Sequence, residues 1–378
     1  MSETLLWCAL ILLAYIYVGY PLIAIAIARL RARPVAKAEQ FPSVTVIIAA
    51  YNEEKHIAQK LRNVLDMDYP RDRIQVIVAS DASSDGTDRI VSSHDALNVQ
   101  LLRVEGRRGK TACQNAAAEI AAGEILLFTD ATTLIEPHAL RAMAANFSDA
   151  SVGCVAGRLA YVARGDEATG LGGTSYWGYE IMLRMAESSI GSLIGVSGCL
   201  YALRRAAYRP IPPDLISDFV TAMVIREQGL RTVLEPGAVC YEDTLDRPDR
   251  ELAMRVRVGV RSLVALAAQK RFLDPFRYGV FAWQLWSHKL LRYLSPVFWI
   301  IALVANLALA LQGDYVWLLA MQLVLLLSGA IGFTPLRDTA NSRLLSKPYY
   351  FLLTNLASAV SLFRFLKGER MVTWTPLR

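Results

Sequence analysis

Polar residues follow directly on short hydrophobic runs at several points in the chain. Tyr51, Asn52 and Glu53 come after residues 44–49 (VTVIIA), Asp81 after residues 75–79 (QVIVA), and Asp130 after residues 124–128 (EILLF). If the runs are parallel strands, these residues sit at the carboxyl ends of the sheet, where α/β proteins bind their ligands. A carboxylate placed there can hold a hard divalent cation, which in turn neutralises a bound phosphate. Asp130, in the string LLFTDATT, is the residue best placed for that task. An acidic side chain that only complements the start of a helix would also follow a strand. That alternative suits Asp85 in SSDGT and Glu53, and it accounts less well for Asp81 and Asp130 together.

The elements needed to position these residues can be read from the pattern. Residues 44–49, 75–79, 99–104 and 124–128 are short and rich in β-branched or aliphatic side chains, and amphipathic stretches such as residues 53–65 separate them. Strands alternating with helices predict an α/β domain over residues 40–245, with a mostly parallel sheet and right-handed crossovers.

The ends of the chain are different. Apolar residues make up 54% of the sequence, more than a water-soluble enzyme needs, and residues 4–28 carry no charge, enough to cross about 30 Å of hydrocarbon as a helix. A cleaved signal would need a basic start and a shorter apolar core, so residues 1–30 are expected to be a transmembrane helix. Arg29, Arg31, Arg33 and Lys37 follow it, which predicts a cytoplasmic middle region in a multi-pass protein of the cell inner membrane.

Residues 246–293 are expected to form amphipathic, interfacial helices, with His288, Lys289 and Arg292 among headgroups. Residues 294–366 form a C-terminal membrane region in which 293–313 and 315–336 read as spans, with Arg337, Arg343 and Lys347 inside. Residues 348–363 fit a span or an interfacial segment equally, and 367–378 are a tail. The net charge of +6 suits a basic belt against membrane lipids, and no dense basic block with interleaved aromatics suggests a nucleic-acid partner. The five cysteines are scattered without a CxxC spacing, so neither a zinc site nor a disulfide framework is expected.

The ordered strings VTVIIAAYNEE, VIVASDASSDGT, RRGKTACQNAA, LLFTDATT, VSGCLYALRR and ISDFVTAM make the chain resemble, over nearly its whole length, the family 2 inverting glycosyltransferases. The membrane members of that family include synthases of cellulose, hyaluronan and poly-N-acetylglucosamine. The resemblance implies a GT-A nucleotide-sugar-binding domain that transfers sugar from a UDP-sugar donor to a saccharide or lipid-linked acceptor, with Mg2+ or Mn2+ as cofactor. Ala50, Tyr51, Glu53 and Asp81 would line the nucleotide pocket, Asp81 facing the base, and Asp130 would hold the metal. Lys110 would approach the diphosphate, or simply be a solvated lysine at a helix start, whereas Asn115 would cross-link structure. Asp218 would be the base that takes the acceptor proton, with helix capping as its alternative role. Gly198 would allow close approach to the sugar, or serve a tight turn.

Two departures from the family pattern stand out. Asp130 is followed by Ala131 and Thr132, so the usual second metal-binding Asp is absent, and Thr132 is left to bond a metal-bound water. The Gln, two residues, Arg, Trp gate of processive members is reduced to Met254, Arg257 and Val258, which favours single-sugar or short-chain transfer over a processive synthase. Arg257 would neutralise the diphosphate, with Arg255 and Arg261 as alternatives, unless these arginines lie among lipid headgroups. An inactive membrane scaffold is the remaining possibility, and retention of Asp81, Asp130 and Asp218 in order speaks against it. GxGxxG and GxSxG are absent, which removes dinucleotide-dependent hydride transfer and serine hydrolysis.

Overall fold

The structure is a computed structural model that describes residues 1–94, 98–162, 168–243, 248–334 and 342–372. The chain forms two compact units. One comprises residues 31–162, 184–243 and the last residues from Met371, and the other comprises residues 1–30, 163–183 and 244–370.

The first unit is built on one sheet. Its strands are β1 (Val44–Ala50), β2 (Ile74–Asp81), β3 (Val99–Val104), β4 (Ile125–Asp130), β5 (Leu134–Ile135), β6 (Val152–Val162), β7 (Leu200–Arg204) and β8 (Arg231–Asp243). They lie in the order β3-β2-β1-β4-β7-β6-β8-β5. The β3-β2-β1-β4 half is parallel, as the alternating pattern predicts. The other half is mixed, because β7 runs antiparallel to both β4 and β6, while β8 is parallel to β6 and antiparallel to β5.

Every residue of β1 is buried, which explains its uninterrupted apolar run. Successive side chains alternate between two cores. Val44, Val46 and Ile48 join one core, which the Ile57–Leu65 helix covers with Ile57, Leu61 and Val64. Ile47 and Ala49 join the other, which the Lys110–Ile120 helix covers with Cys113, Ala117 and Ala118.

Register aligns the carboxyl ends. Ala50 pairs with Ser80 and Ala49 with Asp130, so Tyr51, Asp81 and Asp130 emerge at one edge of the sheet. β7 begins opposite the end of β4, with Leu200 beside Thr129, which brings Gly198 and Cys199 to the same edge.

The second unit is helical among the described residues. Three of its helices, Ser2–Leu30, Val280–Ala310 and Leu345–Leu366, are long and apolar enough to cross a membrane. Leu6 and Ala9 of the first pack on Ala302, Ala305 and Leu309 of the second, small residues allowing close contact. Ile11, Val18, Leu22, Ile300 and Val304 point outward, exposed.

The C-terminal segments differ from expectation in length. The apolar helix expected over residues 315–336 is only Val316–Ile331, 16 residues, whereas the segment expected from residue 348 belongs to a 22-residue helix, Leu345–Leu366. Pro348 lies inside this helix rather than opening it. Arg337, and the side chain of Arg343, lie outside the described residues.

His288 also departs from expectation. It is buried, 3.0 Å from Glu180, and Arg292 is 2.9 Å from the same carboxylate. Glu180 inside the unit thus pairs with both side chains, and His288 is withdrawn from the surface.

Candidate active site

The loop before the Lys110–Ile120 helix carries Gly106, Arg107 and Gly109 at positive φ, at 86°, 49° and 90°. Asp81 organises it. Its carboxylate is wholly buried and accepts from the backbone N–H of Arg108 at 2.7 Å and of Gly109 at 3.1 and 3.2 Å. The Arg107 guanidinium lies 3.5 Å from the same carboxylate and 3.3 Å above the centre of the Tyr51 ring. Charge-assisted bonds to backbone amides fix a loop more firmly than neutral ones. Val372 lies across this loop, its carbonyl oxygen 2.5 Å from where a Cβ on Gly109 would be.

Ala50 ends β1 in the core. Asn52 turns the chain in the left-handed region, φ 53°, and its side-chain carbonyl accepts from the Ser84 N–H at 2.8 Å. Glu53 is buried, with its carboxylate 3.3 Å from His56 and its N–H bonded to Thr87 at 2.8 Å. Glu53 thus also secures the entry to the following helix.

The loop delivers Lys110 to the centre of the edge. Its ammonium donates to the Asp130 carboxylate and, at 3.2 Å, to the Gly198 carbonyl. A Cβ placed on Gly198 would lie 2.9 Å from the Asp218 carboxylate and 3.2 Å from the Lys110 nitrogen. Asp130, Lys110, Gly198 and Asp218 therefore converge, and the Gly198 position is kept free of a side chain by its acidic and basic neighbours. Burial works against the Lys110 charge, but Asp130 and the nearby Asp218 outweigh it and hold its pKa above the ordinary lysine value.

Asp218 is the second residue of the Ser217–Glu227 helix. The cap position is Ile216, and no side chain caps this end, so Asp218 is not acting as the N-cap. The backbone N–H of Val196 donates to the Asp218 carbonyl at 2.9 Å, tying the VSGCLY turn to this helix. Asn115 is a cross-link as expected, accepting from the Tyr208 hydroxyl at 2.6 Å and donating to the Ile211 carbonyl at 2.7 Å.

Two neighbours of Asp130 were not expected from the motifs. Lys60 is fully buried and donates to the Thr129 hydroxyl and the Thr133 carbonyl, both at 2.8 Å, closing the turn that carries Asp130. Burial lowers its pKa to about 7. The signal was present, because Lys60 shares the helical stripe of Ile57, Leu61 and Val64. Glu242, near the end of β8, accepts from Cys199 at 3.6 Å, and burial together with the Asp130 charge raises its pKa to about 7.

Among the described residues, no group of three or more His, Cys, Asp and Glu side chains is arranged to hold a metal ion. Asp130 nevertheless pairs with a cation, the Lys110 ammonium, and the oxygens around it suit a hard ion whose shell is completed by phosphate and water. Arg257 is on the Pro248–Ala268 helix of the helical unit, two residues from Arg255, which pairs with Glu251 at 2.9 Å and lies 4.7 Å from the Tyr350 ring centre.

A sheet with a parallel half and a mixed half, carrying acidic residues at the shared edge, has the arrangement of the GT-A fold. Residues 45–211 match the family described as glycosyl transferase family 2, and the chain thus carries a family 2 glycosyltransferase domain.

An N-acetylglucosaminyltransferase of Mesorhizobium japonicum is 27% identical over 219 residues, covering 53% of this chain and 51% of that protein. A poly-beta-1,6-N-acetyl-D-glucosamine synthase of Staphylococcus aureus is 24% identical over 221 residues, covering 56% and 52%. The chain spans about half the length of these curated relatives. A mannosyltransferase from Pyrobaculum calidifontis, solved with GDP-Man and Mn2+, superposes with a TM-score of 0.74 at 26% identity, covering 98% of this chain and all of that one.

Proposed function

We propose that the protein catalyses inverting transfer of a sugar from a nucleoside diphosphate sugar to a hydroxyl of a saccharide or lipid-linked acceptor, adding one sugar or a short chain. The observation that carries this reading is the meeting of Asp130, Lys110, Gly198 and Asp218 at one sheet edge. Asp130 would hold a divalent ion, Mg2+ or Mn2+, which when bound neutralises charge building on the departing diphosphate. Lys110, hinged beside Asp130, can turn its ammonium to the same phosphates. Asp218 accepts the acceptor hydroxyl proton as that oxygen bonds to the sugar C1 and the bond from C1 to the diphosphate oxygen breaks. Gly198 leaves room for the sugar between base and phosphates. Asp81 and the Arg107 loop hold the nucleotide side, with Tyr51 as an aromatic surface beside it.

Similarity to the mannosyltransferase along the whole chain, and its complex with GDP-Man and Mn2+, support a nucleotide sugar and a metal. The curated relatives point to N-acetylglucosamine transfer, which keeps a UDP-sugar donor in view. Purified protein in detergent, given UDP- and GDP-sugars separately with Mn2+ or Mg2+, is expected to release nucleoside diphosphate from one donor class. Absence of release from every donor, with and without membrane lipid extract as acceptor, would reject the reading.

A further inference from the structure

We infer that Glu242 provides the second carboxylate of the divalent-ion site, replacing the acidic residue missing from the string Asp130, Ala131, Thr132. The inference rests on the nucleotide-sugar reading and deepens it. β8 pairs antiparallel with β5, Leu134 facing Tyr241, so the next residue of β8 reaches the turn joining β4 to β5. That turn carries Thr132, the position at which the family pattern has its second Asp. Threonine brings no charge to that position, and the pairing of β8 with β5 brings a carboxylate to the same turn from another strand.

The Cys199 thiol donates to the Glu242 Oε2 at 3.6 Å and adjoins Gly198, whose carbonyl accepts from Lys110. Strand register and the Cys199 contact thus hold Glu242 beside the turn that carries Asp130, close enough for the two charges to act on each other. Neighbouring carboxylates repel unless a cation lies between them. Two carboxylates, donor phosphate oxygens and water make a shell suited to Mg2+, and to Mn2+, which shares its preference for oxygen.

The test is a Mn2+ titration of the full chain in detergent by electron paramagnetic resonance, with the nucleoside diphosphate that the wild type releases present in excess. Glu242→Gln, which keeps the shape and removes the charge, is expected to weaken Mn2+ binding about tenfold or more. Adding Thr132→Asp to it restores a carboxylate at the family position and is expected to recover most of that loss. Unchanged Mn2+ affinity in Glu242→Gln overturns the inference, and so does a loss that Thr132→Asp fails to recover in a variant with wild-type Tm. A wild type that binds no Mn2+ beside either UDP or GDP overturns the nucleotide-sugar reading together with it.

Discussion

Replacing Asp218 by Asn separates proton acceptance from everything else that residue does. Asn has the same size, so the carboxamide fits beside Gly198, and the bond from the Val196 N–H to the 218 carbonyl is a backbone contact that survives. Ile216 holds the cap position without a side-chain bond, so the helix start loses no capping group. The negative charge near Lys110 disappears, but Asp130 remains paired with that ammonium. The fold and donor affinity should therefore stay near wild type. The reaction loses the group that takes the acceptor proton, a contribution of about 10²- to 10⁴-fold in rate. At ~1.36 kcal/mol per factor of ten, the barrier rises by about 3–5 kcal/mol. Nucleotide release at saturating donor gives kcat, calorimetric titration with the nucleoside diphosphate gives affinity, and Tm reports integrity. A variant with intact Tm and affinity whose kcat falls less than about tenfold would refute the base assignment, since general-base catalysis is worth more than that.

Gly198→Ala places a methyl 2.9 Å from the Asp218 carboxylate and 3.2 Å from the Lys110 nitrogen, both flexible side-chain ends, so kcat is expected to collapse while Tm changes little; near-normal turnover would count against the convergence. Lys60 has its pKa lowered by burial from 10.5 to about 7, so between those values the unfolded chain keeps a proton that the folded protein has released. Stability contributed through Lys60 then rises with pH across that window, and below it the burial penalty is carried in full. Lys60→Met should flatten the rise in Tm measured from pH 6.5 to 9, and parallel profiles would contradict this. Asp81→Asn removes an anion bonded to two backbone N–H groups and is expected to lower both stability, by about 1–3 kcal/mol, and nucleotide affinity. An unchanged affinity would detach the loop from nucleotide binding.

The parallel half of the sheet was legible because β1 and its neighbours are buried on both faces and read as unbroken apolar runs. Asp81 and Asp130 were legible as residues placed after strands, and register sets them at one edge, whereas Asp218 came only from the resemblance to the family. Glu242 was hidden because its proximity to Asp130 arises from a strand pairing between distant parts of the chain, which has no local signature. Lys60 was legible only through its place on the apolar stripe of the Ile57–Leu65 helix. The apolar helices were found, but Pro348 concealed the start of the Leu345–Leu366 span because proline is read as a helix boundary although it is accommodated here inside the helix.

The lysine resting on Asp130 has a bearing on the order in which the site fills. A dissolved ion arriving alone must compete with a cation leashed to the same wall, and a leash raises local concentration far above that of free solute. An ion that comes already wrapped in the donor's phosphates offers the lysine somewhere else to go. If Asp130 holds the donor's metal as proposed, entry as a joint cargo would be favoured over entry one passenger at a time, and a single side chain would keep the idle enzyme from collecting stray metal.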